Sequence, residues 1–139
     1  MNKTLKPAIV VLLVILAVGA MTLFSGSGGG KEIIPWRTDL AVARAEAART
    51  HRNVLIDFTA SWCGPCQNMR RGAWSDPAVA AALGNVIPVQ IDVDQHGDIA
   101  QEFGVNGIPN LVLLDEKGAV LKTNVGFMSP GEFIAWLGR

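Results

Sequence analysis

Two thiols three residues apart, Cys63 and Cys66, are the only cysteines in a chain of 139 residues, and they lie within Ser61-Trp62-Cys63-Gly64-Pro65-Cys66. On a helix, residues at that spacing share a face and fall within disulfide reach, so the pair is suited to reversible thiol and disulfide exchange. The apolar run Val54-Leu55-Ile56-Asp57-Phe58 just before it reads as a buried strand, and the residues after Cys66 read as a helix. Cys63 is therefore predicted at a strand-to-helix turn, where free N–H groups and the helix dipole favour negative charge and hence the thiolate. That makes Cys63 the predicted nucleophile. Cys66, one turn deeper and less exposed, is the predicted resolving thiol: it attacks the mixed disulfide, releases a reduced partner and leaves the pair oxidised. Gly64 puts no side chain beside the sulfurs, and Pro65 is tolerated in a first helical turn, where its missing N–H costs little.

Asp57 stands out among Val54, Leu55, Ile56 and Phe58, and its residue type leaves two readings open. A buried carboxylate without a partner is costly, so Asp57 belongs either on a wet face of the sheet or behind Cys66 with a raised pKa, where it relays a proton during resolution. Downstream, Gly107-Ile108-Pro109 opens the apolar strand Leu111 to Leu114, and Pro109 by itself is a strand-opening proline.

The remaining elements are a scaffold for this pair. Thr38 or Asp39 caps an Ala-rich helix to about Thr50, with Leu40, Ala43 and Ala47 on one face. Ser75-Asp76-Pro77 starts a helix to Leu83. Val86 to Val93 reads as a strand with an edge-like beginning at Pro88, Asp98 to Phe103 as a short helix closed by Gly104, and Leu111 to Val125 as an antiparallel hairpin turning at Asp115 to Gly118. Ser129-Pro130 starts a last helix with Phe133, Ile134, Trp136 and Leu137 as a stripe. Arg70 and Arg71 read as solvated charges and His51 as a surface histidine. Asp92, Asp94 and His96 read as a turn and a helix cap, so no metal site and no cofactor are expected.

Half of the residues are apolar, enough for one core, and twelve Lys plus Arg balance twelve Asp plus Glu. A formal net charge of zero gives no electrostatic case for nucleic acid. Residues 1–24 form an N-terminal segment in which the uncharged run from 8 to 24 follows Lys3 and Lys6. It is predicted to be a single-pass anchor in the cytoplasmic (inner) membrane with the rest of the chain in the periplasm or extracytoplasmic space, the alternative being a cleaved signal peptide. The stretch 25–35 starts with Ser-Gly-Ser-Gly-Gly-Gly and is predicted to be a flexible linker, the first six residues spanning roughly 13 Å. Residues 36–139 then form the folded domain.

Trp62-Cys63-Gly64-Pro65-Cys66, preceded by Val54 to Phe58 and followed by Gly107-Ile108-Pro109, resembles the thioredoxin superfamily, from about Trp36 to the end. Ser75-Asp76-Pro77 and Gly126-Phe127-Met128 further resemble the C-terminal periplasmic domain of bacterial transmembrane thiol:disulfide interchange proteins. The resemblance implies an α/β thioredoxin-like fold with a central mixed sheet of about four to five strands, a short extra one lying near Ile33 and Ile34. It implies a buried Asp57 acting with Cys63 and Cys66, and a cis bond before Pro109 facing the sulfurs. The Ile108 backbone and the Trp62 ring, beside Gly64 and Pro65, are then the substrate platform. Two positions depart from thioredoxins: Gln90 stands where a lysine is common near the aspartate, and Thr59 where a tryptophan is usual.

The function so implied is a membrane-tethered protein disulfide reductase, fed by a membrane electron donor of the thiol:disulfide interchange type. Its acceptors are protein disulfides outside the cytoplasm, such as apocytochrome c, in cytochrome c biogenesis, or a disulfide isomerase. Gly-Pro between the cysteines resembles reducing thioredoxins, at about −270 mV, and an oxidising compartment keeps such a pair oxidised unless electrons arrive. The alternatives are an oxidase or isomerase direction, a copper-binding module using the two thiolates, and a domain held by a static disulfide. Distant His51 and His96 lack zinc-site spacing, and a three-residue loop stabilises little.

Overall fold

The computed structural model describes residues 30–138, so the predicted anchor over 8–24 and most of the glycine-rich linker lie outside the described residues. Among the described residues no helix is long and apolar enough to cross a membrane. The elements run α1 (Leu40–Thr50), β1 (Val54–Thr59), α2 (Gly64–Arg71), a 3-10 turn (Ala73–Ser75), α3 (Pro77–Leu83), β2 (Ile87–Asp92), α4 (Gly97–Glu102), β3 (Asn110–Leu114), β4 (Val120–Val125) and α5 (Pro130–Leu137). The sheet has strand order β2-β1-β3-β4, with β1 parallel to β2 and antiparallel to β3, and β3 antiparallel to β4.

Every residue of β1 is buried, because the strand is central and helices cover both of its faces. Val54, Ile56 and Phe58 point into one core with Leu40, Ala43 and Ala47 of α1 and Ala100 of α4. Leu55 points the other way, into a core with Met69, Trp74, Val79, Leu83 and Phe133. An edge-to-face run of rings braces that second core, Trp36 to Trp74 at 5.1 Å and Trp74 to Phe133 at 5.0 Å. Such pairs add about 0.5–1.5 kcal/mol each beyond area burial.

The terminations follow local chemistry. Asp39 caps α1, Asp76 caps α3 ahead of Pro77, and Ser129 with Glu132 forms a reciprocal capping box on α5. Pro88 sits inside β2, which an edge strand tolerates. The outer side of β2 is covered not by the extra strand expected near Ile33 and Ile34 but by a single parallel bridge between Arg37 and Val89. The sheet therefore has four strands. Ile34 is buried instead, and the Ile33 N–H donates to the Trp74 carbonyl at 2.9 Å. The last residues assigned to the flexible linker thus lie packed on the domain, because Ile34 has apolar surface to bury against α3 and the Trp74 ring. On α5 only Phe133 is fully buried, and the rest of its stripe packs partly exposed around it.

Candidate functional site

β1 ends at Thr59, and the chain turns through Ala60, Ser61 and Trp62 into α2. Cys63 occupies the N-cap of α2 with extended backbone, and its Sγ accepts a hydrogen bond from the Cys66 N–H at 3.2 Å. A cysteine thus stands where Ser or Asp is the usual cap, satisfying one of the free donors of the first turn. The two sulfurs are bonded, with Cα atoms 5.3 Å apart. The sequence expected Cys66 to be the less exposed thiol, and the structure corrects this: Cys63 is 3% and Cys66 6% exposed. Both are covered by Ala60, with Val93 and Ile108 packed against them. Burial therefore does not distinguish the two thiols; the cap position does. Gly64 and Pro65 lie exposed beside them.

Trp62 is 67% exposed, and its ring N–H donates to Asp94 Oδ2 at 2.9 Å. Asp94 thereby fixes the orientation of this ring, while Asp92 Oδ1 accepts from the Asp94 N–H and closes the turn. Among the described residues no three His, Cys, Asp or Glu side chains come together as a metal site. Between Trp62, Val93, Ala100, Val105 and Ile108 lies an open, mainly apolar groove of about 410 Å³. The Ile108-Pro109 bond is cis, and Ile108 packs against the cysteines.

The loop after β4 holds this arrangement, since the Gly126 N–H donates to the Pro109 carbonyl at 2.8 Å. Gly126 has φ +101°, a conformation that costs a residue with Cβ on the order of 1–3 kcal/mol. Gly126→Ala is therefore expected to lower stability by about 1–2 kcal/mol in denaturant titration and to slow exchange at the cysteines; unchanged values in both assays would show that this loop does not constrain Pro109. Phe127, 49% exposed, lies on the surface, whereas Met128 next to it is buried in the core.

Asp57 is 2% exposed. Alternation along β1 puts it with Leu55 on the face covered by α2, so the wet-face reading is excluded. Gln90 stands opposite in the parallel register and its amide donates to Asp57 Oδ2 at 3.0 Å, while Oδ1 finds no hydrogen-bond partner among the described residues. Burial pushes the carboxyl up to about 6; the Gln90 bond pulls it down, the negative charge of Glu32 pushes it up, and the Trp74 indole and the Arg70 guanidinium act weakly downward. An amide thus solvates this carboxylate without neutralising it.

The sequence did not single out Glu32, and it read Arg70 as solvated. The two form an ion pair at 3.3 Å, and Glu32 also accepts from the Trp36 ring N–H at 2.5 Å. Glu32 lies in a stretch whose composition reads as tether, so no sequence signal marked it.

Comparisons with known proteins agree with this geometry. A family model described as thioredoxin-like matches residues 35–116. Over 73 residues the chain is 38% identical to thioredoxin-2 of Pyricularia oryzae, covering 51% of this chain and 40% of that protein. Over 95 residues it is 32% identical to the thiol:disulfide interchange protein DsbD of Haemophilus ducreyi, covering 63% of this chain and 16% of that protein. The chain thus spans less than half the length of these curated relatives. A solution structure of a thioredoxin from Thermus thermophilus superposes with a TM-score of 0.68 at 26% identity, covering 76% of this chain and 85% of that one. The oxidised C-terminal domain of Neisseria meningitidis DsbD does so with 0.61 at 26% identity, covering 74% and 97%.

Proposed function

The chain belongs to the thioredoxin-like family, and on that premise we propose that it is a thiol:disulfide oxidoreductase that reduces protein disulfides outside the cytoplasm, held to the membrane by its N-terminal segment. The observation that carries the chemistry is the N-cap position of Cys63, whose Sγ receives the Cys66 N–H. In the reduced chain the same donor stabilises a Cys63 thiolate.

The reaction runs in two exchanges. The Cys63 thiolate attacks one sulfur of a partner disulfide; that S–S bond breaks, a mixed disulfide forms, and the partner's other sulfur leaves as a thiolate. Cys66 then gives its thiol proton to the Asp57 carboxylate and attacks Cys63 Sγ. The mixed disulfide breaks, the second partner sulfur leaves and takes up a proton, and two electrons have passed from the dithiol to the partner. Trp62, Gly64, Pro65 and the Ile108 backbone at cis-Pro109 present an extended partner segment to the sulfurs, and the groove beside Trp62 receives its apolar side chains.

The direction and the location rest on the sequence. Lys3 and Lys6 precede an uncharged run of anchor length, which sends the domain into the periplasm. Gly64-Pro65 between the thiols favours a reducing couple. In an oxidising compartment that couple requires a membrane electron donor of the thiol:disulfide interchange kind, in keeping with the likeness to DsbD. The acceptors are extracytoplasmic protein disulfides, apocytochrome c or a disulfide isomerase among them.

The deciding test is the reduction potential of the Cys63 and Cys66 pair, titrated against dithiol buffers. A value near or below about −250 mV supports the reductant, and one above about −150 mV replaces it by an oxidase or isomerase. A chain with no reversible couple that retains stoichiometric copper after anaerobic purification would overturn the exchange chemistry itself.

A further inference from the structure

The segment between the glycine-rich stretch and α1 is tied onto the domain beside the site. The Gly30 carbonyl accepts from Ser75 Oγ at 2.7 Å, Ile33 bonds to the Trp74 backbone, and Arg37 is held by Glu46. In the middle of this clip, Glu32 pairs with Arg70 of α2 at 3.3 Å and accepts from the Trp36 ring. Arg70 and Gln90 line one polar cavity of about 220 Å³, and the Gln90 amide holds Asp57 Oδ2.

Around Asp57, β2 contributes Gln90, α2 Arg70, the 3-10 turn Trp74 and the clip Glu32, while Asp92 and His96 line the cavity that Arg70 and Gln90 share. Arg70 is the cation among these that acts on Asp57. It is also the cation that Glu32 engages.

We propose that Glu32 is a positioning residue for the proton transfer at Asp57: by pairing with Arg70 it engages the guanidinium that lines the cavity beside Gln90 and leaves Asp57, among the described residues, without a counter-ion of its own. An unpaired buried carboxylate holds its proton more strongly than one beside a free cation, and the negative charge of Glu32 acts in the same sense. The clip thereby couples seating of the segment that leads into the domain to the proton affinity of the group that serves Cys66. This inference rests on the resolving step described above.

The test uses the full chain in detergent, with two readouts. In the disulfide form, the carboxyl ¹³C shift of Asp57 is followed against pH; in single turnover, decay of the mixed disulfide is followed against pH. Glu32→Gln keeps the size of the side chain and an acceptor for the Trp36 ring but removes the charge. It is expected to move both the Asp57 transition and the acid limb of the resolution rate to lower pH, leaving the rate at the alkaline plateau unchanged. In an Arg70→Gln background the same substitution is expected to produce a smaller displacement. An Asp57 transition unmoved by Glu32→Gln overturns the proposal, as does an equal displacement with and without Arg70. If Glu32→Gln does not fold, Arg70→Gln alone carries the test: the Asp57 transition must rise, and an unmoved one overturns the proposal. The ¹³C readout involves no turnover, so its failure is separable from failure of the proposed function; the latter is read from Asp57→Asn, which must slow resolution whatever Glu32 does.

Discussion

Replacing Cys63 by Ser is expected to abolish disulfide turnover, with activity falling to the uncatalysed background. The hydroxyl that takes its place is not ionised near neutral pH and forms no disulfide, so neither exchange can begin. The N-cap itself survives, since serine is a good cap; the loss would therefore be chemical, and the thermal midpoint of the variant is expected to stay close to that of the reduced protein. Cys66→Ser is expected to behave differently. Its Cys63 thiolate still attacks, but nothing resolves the product, so the chain accumulates as a mixed disulfide with its partner after one round. Mass spectrometry of the covalent adduct with a disulfide-linked peptide distinguishes the two variants. Both thiols are almost equally buried, so this asymmetry depends on the N-cap donor to Cys63. An adduct formed by the Cys63→Ser chain and not by the Cys66→Ser chain would reverse the assignment.

Asp57→Asn is expected to have opposite effects on stability and rate. The carboxyl is pushed up to about 6 from an ordinary value of 3.8, with burial the main cause. Because the folded value is raised, ionisation opposes folding. The fully protonated carboxyl below about pH 4 costs nothing of this kind; the penalty grows as pH rises toward 6 and is complete above it. A shift of this size corresponds to about 2–3 kcal/mol at pH 7. The neutral amide of Asn escapes the penalty and can still accept the Gln90 bond, so the variant is expected to be more stable by about 2 kcal/mol at pH 7 and equal to wild type near pH 4. The resolving step loses its proton acceptor, and a positioned general base contributes roughly 10²–10⁴-fold. Decay of the mixed disulfide is therefore expected to slow by about 10²-fold at pH 7, while the first attack by Cys63 is unchanged. Urea titrations at pH 4 and pH 7, with single-turnover kinetics, read all three quantities. A variant as fast as wild type in resolution would remove Asp57 from the mechanism, however stable it proved.

Much of this site was legible in the order of residues, because its parts are local. Strand β1 is a continuous apolar run, and α2 begins at a cysteine followed by glycine and proline, so the strand, the turn, the cap and the three-residue spacing of the thiols all follow from short stretches of chain. The edge position of β2 was likewise readable, since Pro88 cannot donate to a ladder on both sides. The caps at Asp39, Asp76 and Ser129 follow from side chains that accept from N–H groups two or three residues on.

The relations the sequence missed all join distant parts of the chain. Glu32 and Arg70 are separated by 38 positions, and neither residue type announces the other. Asp94 was read as a turn residue, which it is, but its bond to the Trp62 ring depends on the end of β2 arriving beside the end of β1. Phe127 and Met128 are neighbours in the chain, yet Phe127 lies on the surface while Met128 is taken into the core formed by distant residues such as Leu55, Trp74 and Phe133.

By itself the sequence determined the pair of thiols, which of them starts a helix, the acid in the strand before them and the family they belong to, since each is fixed by spacing along one short segment. Only the tertiary structure decided that Asp57 is buried against an amide rather than a cation, that the two sulfurs are equally covered, and that Glu32 engages Arg70. The physical reason is the same in all three: burial and charge pairing depend on which distant side chains the sheet brings together, and that is a property of packing, not of neighbours in the chain.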